Sequence, residues 1–322
     1  MIIGLDCGGA KTAGAICDRQ GRILARARAQ GAAIVGTPDE RFFATITGLL
    51  DTLCGDAGAT LADIEHVAIG LSGVDFADEQ AEQQAAIAHR YGLESRLTLV
   101  NDGIVALCGV SPEARLVLVQ LGTGLTSAYR AEPGGETVHD SLDVGRIYDV
   151  RDAAIALAAR MIDGRADPTP FLDAVLAYCG VPAADFAAWY LRSPEATARR
   201  TGMARIVFSA WRQGDPAATD MVHAAARDYA LIAKVMGDRL PGKARFTTAF
   251  GGGTILEGQA DFQRLLREEL AAICPRADMT GIRLPPELGA VLLAARPWGV
   301  DPAELFETLA AQDASARTEV PA

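Results

Sequence analysis

The sequence predicts an α/β protein built from two sheet domains with a cleft between them. Three observations predict it. The first third of the chain reads as three strands followed by alternating helix and strand. Near Arg115 a second unit of strand, glycine turn, strand, turn and strand begins. Between the two lies a Ser-Pro-Glu turn at Ser111–Glu113, which sets the expected domains at 1–112 and 113–311, with a helical insertion over about 151–240 and a loose tail over 312–322.

Each element has its own signal. "IIGLD", "AGAIC" and "RILARAR" predict three antiparallel strands, joined by turns at Gly8-Gly9 and at Asp18–Gly21. A helix follows, with Thr37 as N-cap, Pro38 at its first position and Glu40 completing a capping box. Phe42, Phe43, Ile46, Leu49, Leu50 and Leu53 recur at helical spacing and make one face core. "HVAIGL" is the next strand, Asp78–Tyr91 a polar helix, "LTLVND" a fifth strand, and Ile104–Cys108 a short helix. In the second unit "RLVLVQL", "LTSAYRA" and "ETVHD" are strands, with glycine turns at Gly122–Gly124 and Pro133–Gly135. Helices dominate from Arg151 to about Arg239. "RFTTAFGGGTILEG" then supplies one more strand ending on three glycines, and helices follow at Asp261–Ile273, Glu287–Ala295 and Ala303–Ala311.

Composition narrows the class. Of 322 residues half are hydrophobic and 22% charged, so the chain can bury a core and is not disordered. Net charge is −11 and no basic run occurs, which argues against nucleic acid or an anionic membrane as partner. Asp6 interrupts the first apolar run, so no secretory signal is read, and no later run reaches the roughly 18 residues a bilayer span needs. The six cysteines (Cys7, Cys17, Cys54, Cys108, Cys179 and Cys274) form no C-x-x-C pair, and His66, His89, His139 and His223 show no ligand spacing. A cytoplasmic protein is expected, with a homodimer the prior for a soluble enzyme.

The glycine turns and two aspartates carry the chemistry. Gly8-Gly9, Gly122-Thr123-Gly124 and Gly251–Gly253 each follow a strand, where backbone N–H groups can approach phosphate oxygens closely. Any one of them alone is equally well a hairpin turn, and neither the dinucleotide fingerprint nor the P-loop motif is present. Asp6 ends the first strand and Asp102 the fifth, so both can reach one sheet edge, where ligands of open α/β sheets collect. An aspartate beside phosphates can orient magnesium through its waters, and a second can accept the proton of an attacking hydroxyl. Asp102 can also be the N-cap of the helix that follows, a role compatible with catalysis. Lys11 and Thr12 add a charge and a hydroxyl near the first turn.

With these residues assembled, the chain resembles the actin/Hsp70/sugar-kinase superfamily, and within it the BadF/BadG/BcrA/BcrD ATPase group that includes N-acetylglucosamine and glucosamine kinases. "IIGLDCGGAKT" is similar to that family's first phosphate motif and "LVLVQLGTGLTSAYR" to its second. "LVNDGIVALCG" resembles its catalytic-aspartate segment, "AFGGGTILEG" its adenosine loop and "LPPELGAVLLAA" its ending; together the motifs span roughly residues 1–295. The resemblance implies two ribonuclease H-like (actin-like ATPase) domains with a nucleotide cleft between them, ATP and Mg²⁺ as cofactors, and a small-molecule sugar as substrate. It implies that Asp6 positions the metal, and that Gly8, Gly9, Lys11, Thr12, Gly122, Thr123 and Gly124 hold the β- and γ-phosphates. Gly251, Gly252 and Gly253 then pass the adenosine and α-phosphate, and Asp102 is the general base toward a sugar hydroxyl.

The departures from the family are most serious on the acceptor side. Ala10 and Leu125 stand where threonine and serine are usual, and the Gly-Asp-x-Gly-Ser stretch is replaced by "DVGRIYDVRDAAIAL", in which Asp149 is the candidate sugar-binding aspartate. The family's early asparagine has no match in "GAAIVGTP". The leading expectation is an ATP-dependent carbohydrate kinase acting on an N-acetylglucosamine- or glucosamine-like sugar. Two alternatives stay open: a nucleotide-driven switch, which in this family uses closely placed cysteines that the chain lacks between Cys108 and Cys179, and a non-catalytic paralogue.

Overall fold

The computed structural model of the chain describes residues 1–122, 124–139, 148–256 and 258–318. The first sheet holds β1 (Ile2–Cys7), β2 (Lys11–Cys17), β3 (Ile23–Gln30), β4 (His66–Leu71) and β5 (Leu97–Asn101) in the order β3-β2-β1-β4-β5. The second holds β6 (Leu116–Leu121), β7 (Leu125–Arg130), β8 (Glu136–Val138), β9 (Phe246–Gly251) and β10 (Ala277–Thr280) in the order β10-β9-β6-β7-β8. In both, the first strand pairs antiparallel with the second and parallel with the fourth. The repeat suggested by the sequence is therefore a repeat of topology, with β6 in the place of β1 and β9 in the place of β4. Sequence reading misses β10, whose four residues "ADMT" offer only Ala277 and Met279 as apolar positions, too short a run to stand out, and are at most half-buried.

Helix α1 (Glu40–Asp56) covers one face of the first sheet with Phe42, Phe43, Ile46, Leu49, Leu50 and Leu53, all buried as their spacing predicts. Its N-cap is Asp39 rather than Thr37: the Asp39 carboxylate accepts from the Phe42 N–H at 2.8 Å, while the Thr37 hydroxyl turns to Glu82. Helix α2 (Ala77–Tyr91) precedes β5, and α3 (Asp102–Cys108) follows it directly. Five helices then run from Val150 to Asp238: α4 (Val150–Ile162), α5 (Pro170–Cys179), α6 (Phe186–Arg192), α7 (Glu195–Arg212) and α8 (Pro216–Asp238). They bury Ala154, Phe171, Phe208 and Tyr229 in one core with Val117 and Val119 of β6. No single helix among the described residues is long and apolar enough to cross a membrane.

After β9 come the short α9 (Gly253–Leu256) and α10 (Gln259–Ile273), then α11 (Pro286–Ala294) and α12 (Pro302–Thr318). These last two helices, expected with the second unit, pack on the first sheet. Leu288, Val291, Phe306 and Leu309 share a core with Ile2, Ala15 and Ala68. The contact is backbone-close: a Cβ at Gly4 would lie 2.3 Å from the Val291 nitrogen and 2.5 Å from the Glu287 carbonyl oxygen. Only glycine lets α11 lie on β1 there, which brings the first turn of α11 beside the strand that carries Asp6.

The expected loose tail from residue 312 is instead helix as far as Thr318. Gln312 accepts from the Ile23 N–H at 3.0 Å and donates to the Gly21 carbonyl at 2.8 Å, and Asp313, its side chain 3% exposed, pairs with Arg26 at 2.6 Å. A buried carboxylate and three tertiary bonds hold a segment whose composition alone reads as a tail. Asp313→Ala is expected to lower the unfolding free energy by about 1–3 kcal/mol, because Arg26 is left partly buried without its partner. An unchanged urea midpoint in that variant would mean that the pair contributes nothing to the anchoring.

Candidate active site

A cleft of about 1030 Å³ opens between the sheets, lined by Asp6, Gly8, Gly9, Lys11 and Asp102 on one side and by Gly122, Gly124, Arg151, Gly252 and Gly253 on the other. Topology explains the meeting. Asp6 lies at the C-terminal end of β1, paired with Ala13 and Gly70, and Asp102 opens the helix after the parallel strand β5. Both carboxylates therefore reach the same sheet edge, as their positions in the sequence imply.

Asn101, not Asp102, supplies the cap of α3: its side-chain oxygen accepts from the Gly103 N–H at 2.8 Å. Asp102 thus becomes the first helical residue and faces the cleft. Burial pushes its carboxyl up to about 6, with the Gly103 N–H opposing the shift and the Asp75 carboxylate adding to it. Asn101 holds Asp75 nearby, donating to the Val74 carbonyl and to Asp75 Oδ1, both at 3.0 Å. Burial also raises Asp6, to about 7, helped by the negative charges of Asp102 and Glu287 and opposed by Lys11. Both aspartates sit where their charged forms are costly unless a cation arrives.

The residues fit a divalent cation. Glu287 is 4% exposed, and its Oε2 is buried with no hydrogen-bond partner among the described residues. Asp6, Asp102 and Glu287 put negative charge in one region against Lys11. Yet no three acidic, histidine or cysteine side chains among the described residues stand close enough to hold an ion by themselves. That pattern suits Mg²⁺, which keeps several waters and binds through one or two carboxylates plus phosphate oxygens.

The glycine turns divide in role. The Gly8 N–H closes the hairpin onto the Lys11 carbonyl at 3.0 Å, so this amide serves the turn itself, and the Gly8 carbonyl accepts from the Ala32 N–H at 3.1 Å. Lys11 is exposed in the cleft, but the next residue on the strand, Thr12, points the other way. Thr12 is fully buried, its hydroxyl has no partner among the described residues, and it does not line the cleft. Gly122 and Gly124 line the second side, with the Gly122 N–H on the Gly124 carbonyl at 3.0 Å; Thr123 lies outside the described residues. Gly251 ends β9 in the core, while Gly252 and Gly253 reach the cleft. At Gly252 φ is +86°, and a Cβ would meet the Leu121 carbonyl oxygen at 2.3 Å, so glycine is required for the chain to turn over the end of β6.

Asp149, expected to meet a sugar hydroxyl, caps α4 and is held by arginines. Its oxygens accept from the Arg151 N–H at 2.9 Å, from Arg151 Nε at 2.9 and 3.0 Å, from Arg151 Nη2 at 2.6 Å and from Arg200 Nη2 at 3.1 Å. It does not line the cleft, but Arg151 does. Sequence reading missed Arg151, Asp75 and Glu287. Only Glu287 left a trace, as a charge inside the otherwise apolar "LPPELGAVLL".

Two matching five-stranded units, facing each other with carboxylates on one lip and glycine turns on both, define the actin-like ATPase class of folds. The chain belongs to the BadF/BadG/BcrA/BcrD ATPase family, whose sequence profile matches residues 3–294. No curated protein matches it by sequence. Among solved structures it is similar to the assigned N-acetylglucosamine kinase of Chromobacterium violaceum, at 24% identity and a TM-score of 0.66 over 91% of this chain and 98% of that one. The assigned N-acetylglucosamine kinase of Porphyromonas gingivalis aligns at 18% identity and a TM-score of 0.65, over 93% of this chain and 100% of that one. A ROK family glucokinase from Streptomyces griseus, in complex with glucose and AMPPNP, aligns at 19% identity and a TM-score of 0.57, over 92% and 99% of the two chains. At these identities the likeness establishes the fold.

Proposed function

We propose that the protein is an ATP-dependent kinase that transfers the γ-phosphate to a hydroxyl of a sugar or amino sugar, of the N-acetylglucosamine or glucosamine kind. The observation that carries the reading is the pair of carboxylates, buried Asp6 and half-buried Asp102, on one lip of a cleft whose opposite lip is glycine turns. Phosphoryl transfer asks for positioning, charge neutralisation and one base, and these residues supply them. Mg²⁺, when bound, neutralises charge on the phosphates. Asp6 would hold it, and Lys11 adds a cation on the same side. Gly9, Gly122, Gly124, Gly252 and Gly253 let the backbone approach the nucleotide. Asp102 accepts the proton of the acceptor hydroxyl as its oxygen bonds to the γ-phosphorus and the bond from that phosphorus to the bridging oxygen of ADP breaks.

A nucleotide-driven switch working through a shared iron–sulfur cluster is disfavoured, since all six cysteines are buried singly. The non-catalytic reading rests on one observation, that two arginines occupy the carboxylate expected to bind sugar. A coupled ADP-release screen with Mg-ATP over amino sugars, sugars and sugar acids separates the readings. The kinase reading expects release that depends on one acceptor and a phosphorylated product in equal amount. ADP release indifferent to every acceptor, or none at all, would overturn it.

A further inference from the structure

We infer that the Asp149–Arg151 pair is a strut for the second phosphate loop, so that Arg151 is a positioning residue for the nucleotide rather than part of the acceptor site; this rests on the kinase reading of the cleft. Arg151 is 2% exposed yet reaches the cleft wall. Among the described residues its guanidinium is seen to reach in two directions. Nε and Nη2 grip both oxygens of Asp149, at 2.6 to 3.0 Å, while Nη1 donates to the Gly122 carbonyl at 2.7 Å. A planar fork can hold a carboxylate and a carbonyl together in this way, and a lysine ammonium cannot reproduce the geometry.

The consequence lies at Gly122. A carbonyl pinned by a guanidinium cannot swing its oxygen toward an anionic ligand, and the buried positive charge stays beside the loop. The carboxylate itself is anchored three times. It caps α4, it grips Arg151, and it accepts from Arg200 of α7, which also binds Asp152 at 2.5 and 2.7 Å. A carboxylate offers about four lone-pair sites, and the N–H groups of Arg151 and Arg200 use them. The first turn of α4, the α7 arginine and the glycine loop are thereby one rigid unit.

The test uses the full-length chain with three variants, Arg151→Met, Arg151→Lys and Asp149→Asn. Mg·ADP is titrated calorimetrically without acceptor, and the acceptor KM is measured at saturating ATP. Asp149→Asn matters most, because asparagine caps a helix as well as aspartate does and leaves the fold at least risk. The strut reading expects Arg151→Met and Asp149→Asn each to weaken Mg·ADP by about tenfold or more, the effect of losing a charge-assisted hydrogen bond. Arg151→Lys should recover part of that affinity, with acceptor KM staying within about twofold throughout, because the lost contacts are made to the loop. A rise in acceptor KM with Mg·ADP affinity unchanged would make Asp149 the acceptor-binding residue and overturn the inference, as would no change in either constant. If Arg151→Met does not fold, Asp149→Asn decides. A wild-type chain that binds no Mg·ADP would overturn the kinase reading itself, a result distinct from equal binding by wild type and variants.

Discussion

Asp102→Asn is expected to lower kcat by on the order of 10²–10⁴-fold while leaving the Kd for Mg·ADP within about twofold of wild type. The substitution keeps size and shape, and Asn101 still caps α3, so the helix stays in place. What disappears is the carboxylate proposed above to take the proton of the acceptor hydroxyl. Its environment also fixes a pH signature. Asp102 works as a base only when ionised, and burial raises its carboxyl to about 6. In the wild type, kcat/KM should therefore fall as pH drops through about 6, well above the range of an ordinary exposed aspartate. The variant should lack that acid limb in whatever activity remains. Wild-type turnover by Asp102→Asn would sink the assignment of the base; a normal kcat with a raised acceptor KM would instead reduce Asp102 to a binding residue.

Much of the site was legible because strand ends are legible. β1, β4 and β6 are runs of apolar residues covered by helices or loops on both faces, so the sequence shows where they stop and which residue follows. That located Asp6 near the end of β1 and the Gly122–Gly124 turn after β6, while Asp102 and the Gly251–Gly253 turn were read from the ends of β5 and β9. Orientation was harder. Lys11 and Thr12 are neighbours on one strand, and the period of two sends one to the cleft and the other to the core. The rule was available in the sequence, but only the structure shows which of the two faces out. Long-range placements left no local signal. Nothing in "PPELG" says that α11 returns to lie on β1, so the nearness of Glu287 to Asp6 could not be read. Asp149 shows the same limit from the other side: its position in the chain suggested sugar binding, while Arg200, 51 residues on, helps engage its charge.

Asp6→Asn should make the metal-free protein more stable at pH 8 while making it inactive. The sign follows from linkage. The carboxyl of Asp6 has an ordinary value of 3.8 in the unfolded chain and about 7 in the folded one, so the folded state binds its proton more tightly. The stability this contributes is fully present below 3.8 and is lost as pH rises through about 7. At pH 8 the wild type therefore carries a buried charge costing on the order of 3–4 kcal/mol, an upper figure because local relaxation and water reduce it. Asparagine removes that cost and should raise Tm by several degrees at pH 8 and by much less at pH 5. On the proposed function, Mg·ADP should reverse the order, because it would stabilise the wild type by binding the folded state while the variant would lack the carboxylate proposed to position the ion. Thermal melts at the two pH values, with and without Mg·ADP, check both halves. A variant less stable than wild type at pH 8 without metal would show that Asp6 is a structural residue, and one that kept the full Mg·ADP stabilisation would remove Asp6 from the metal site.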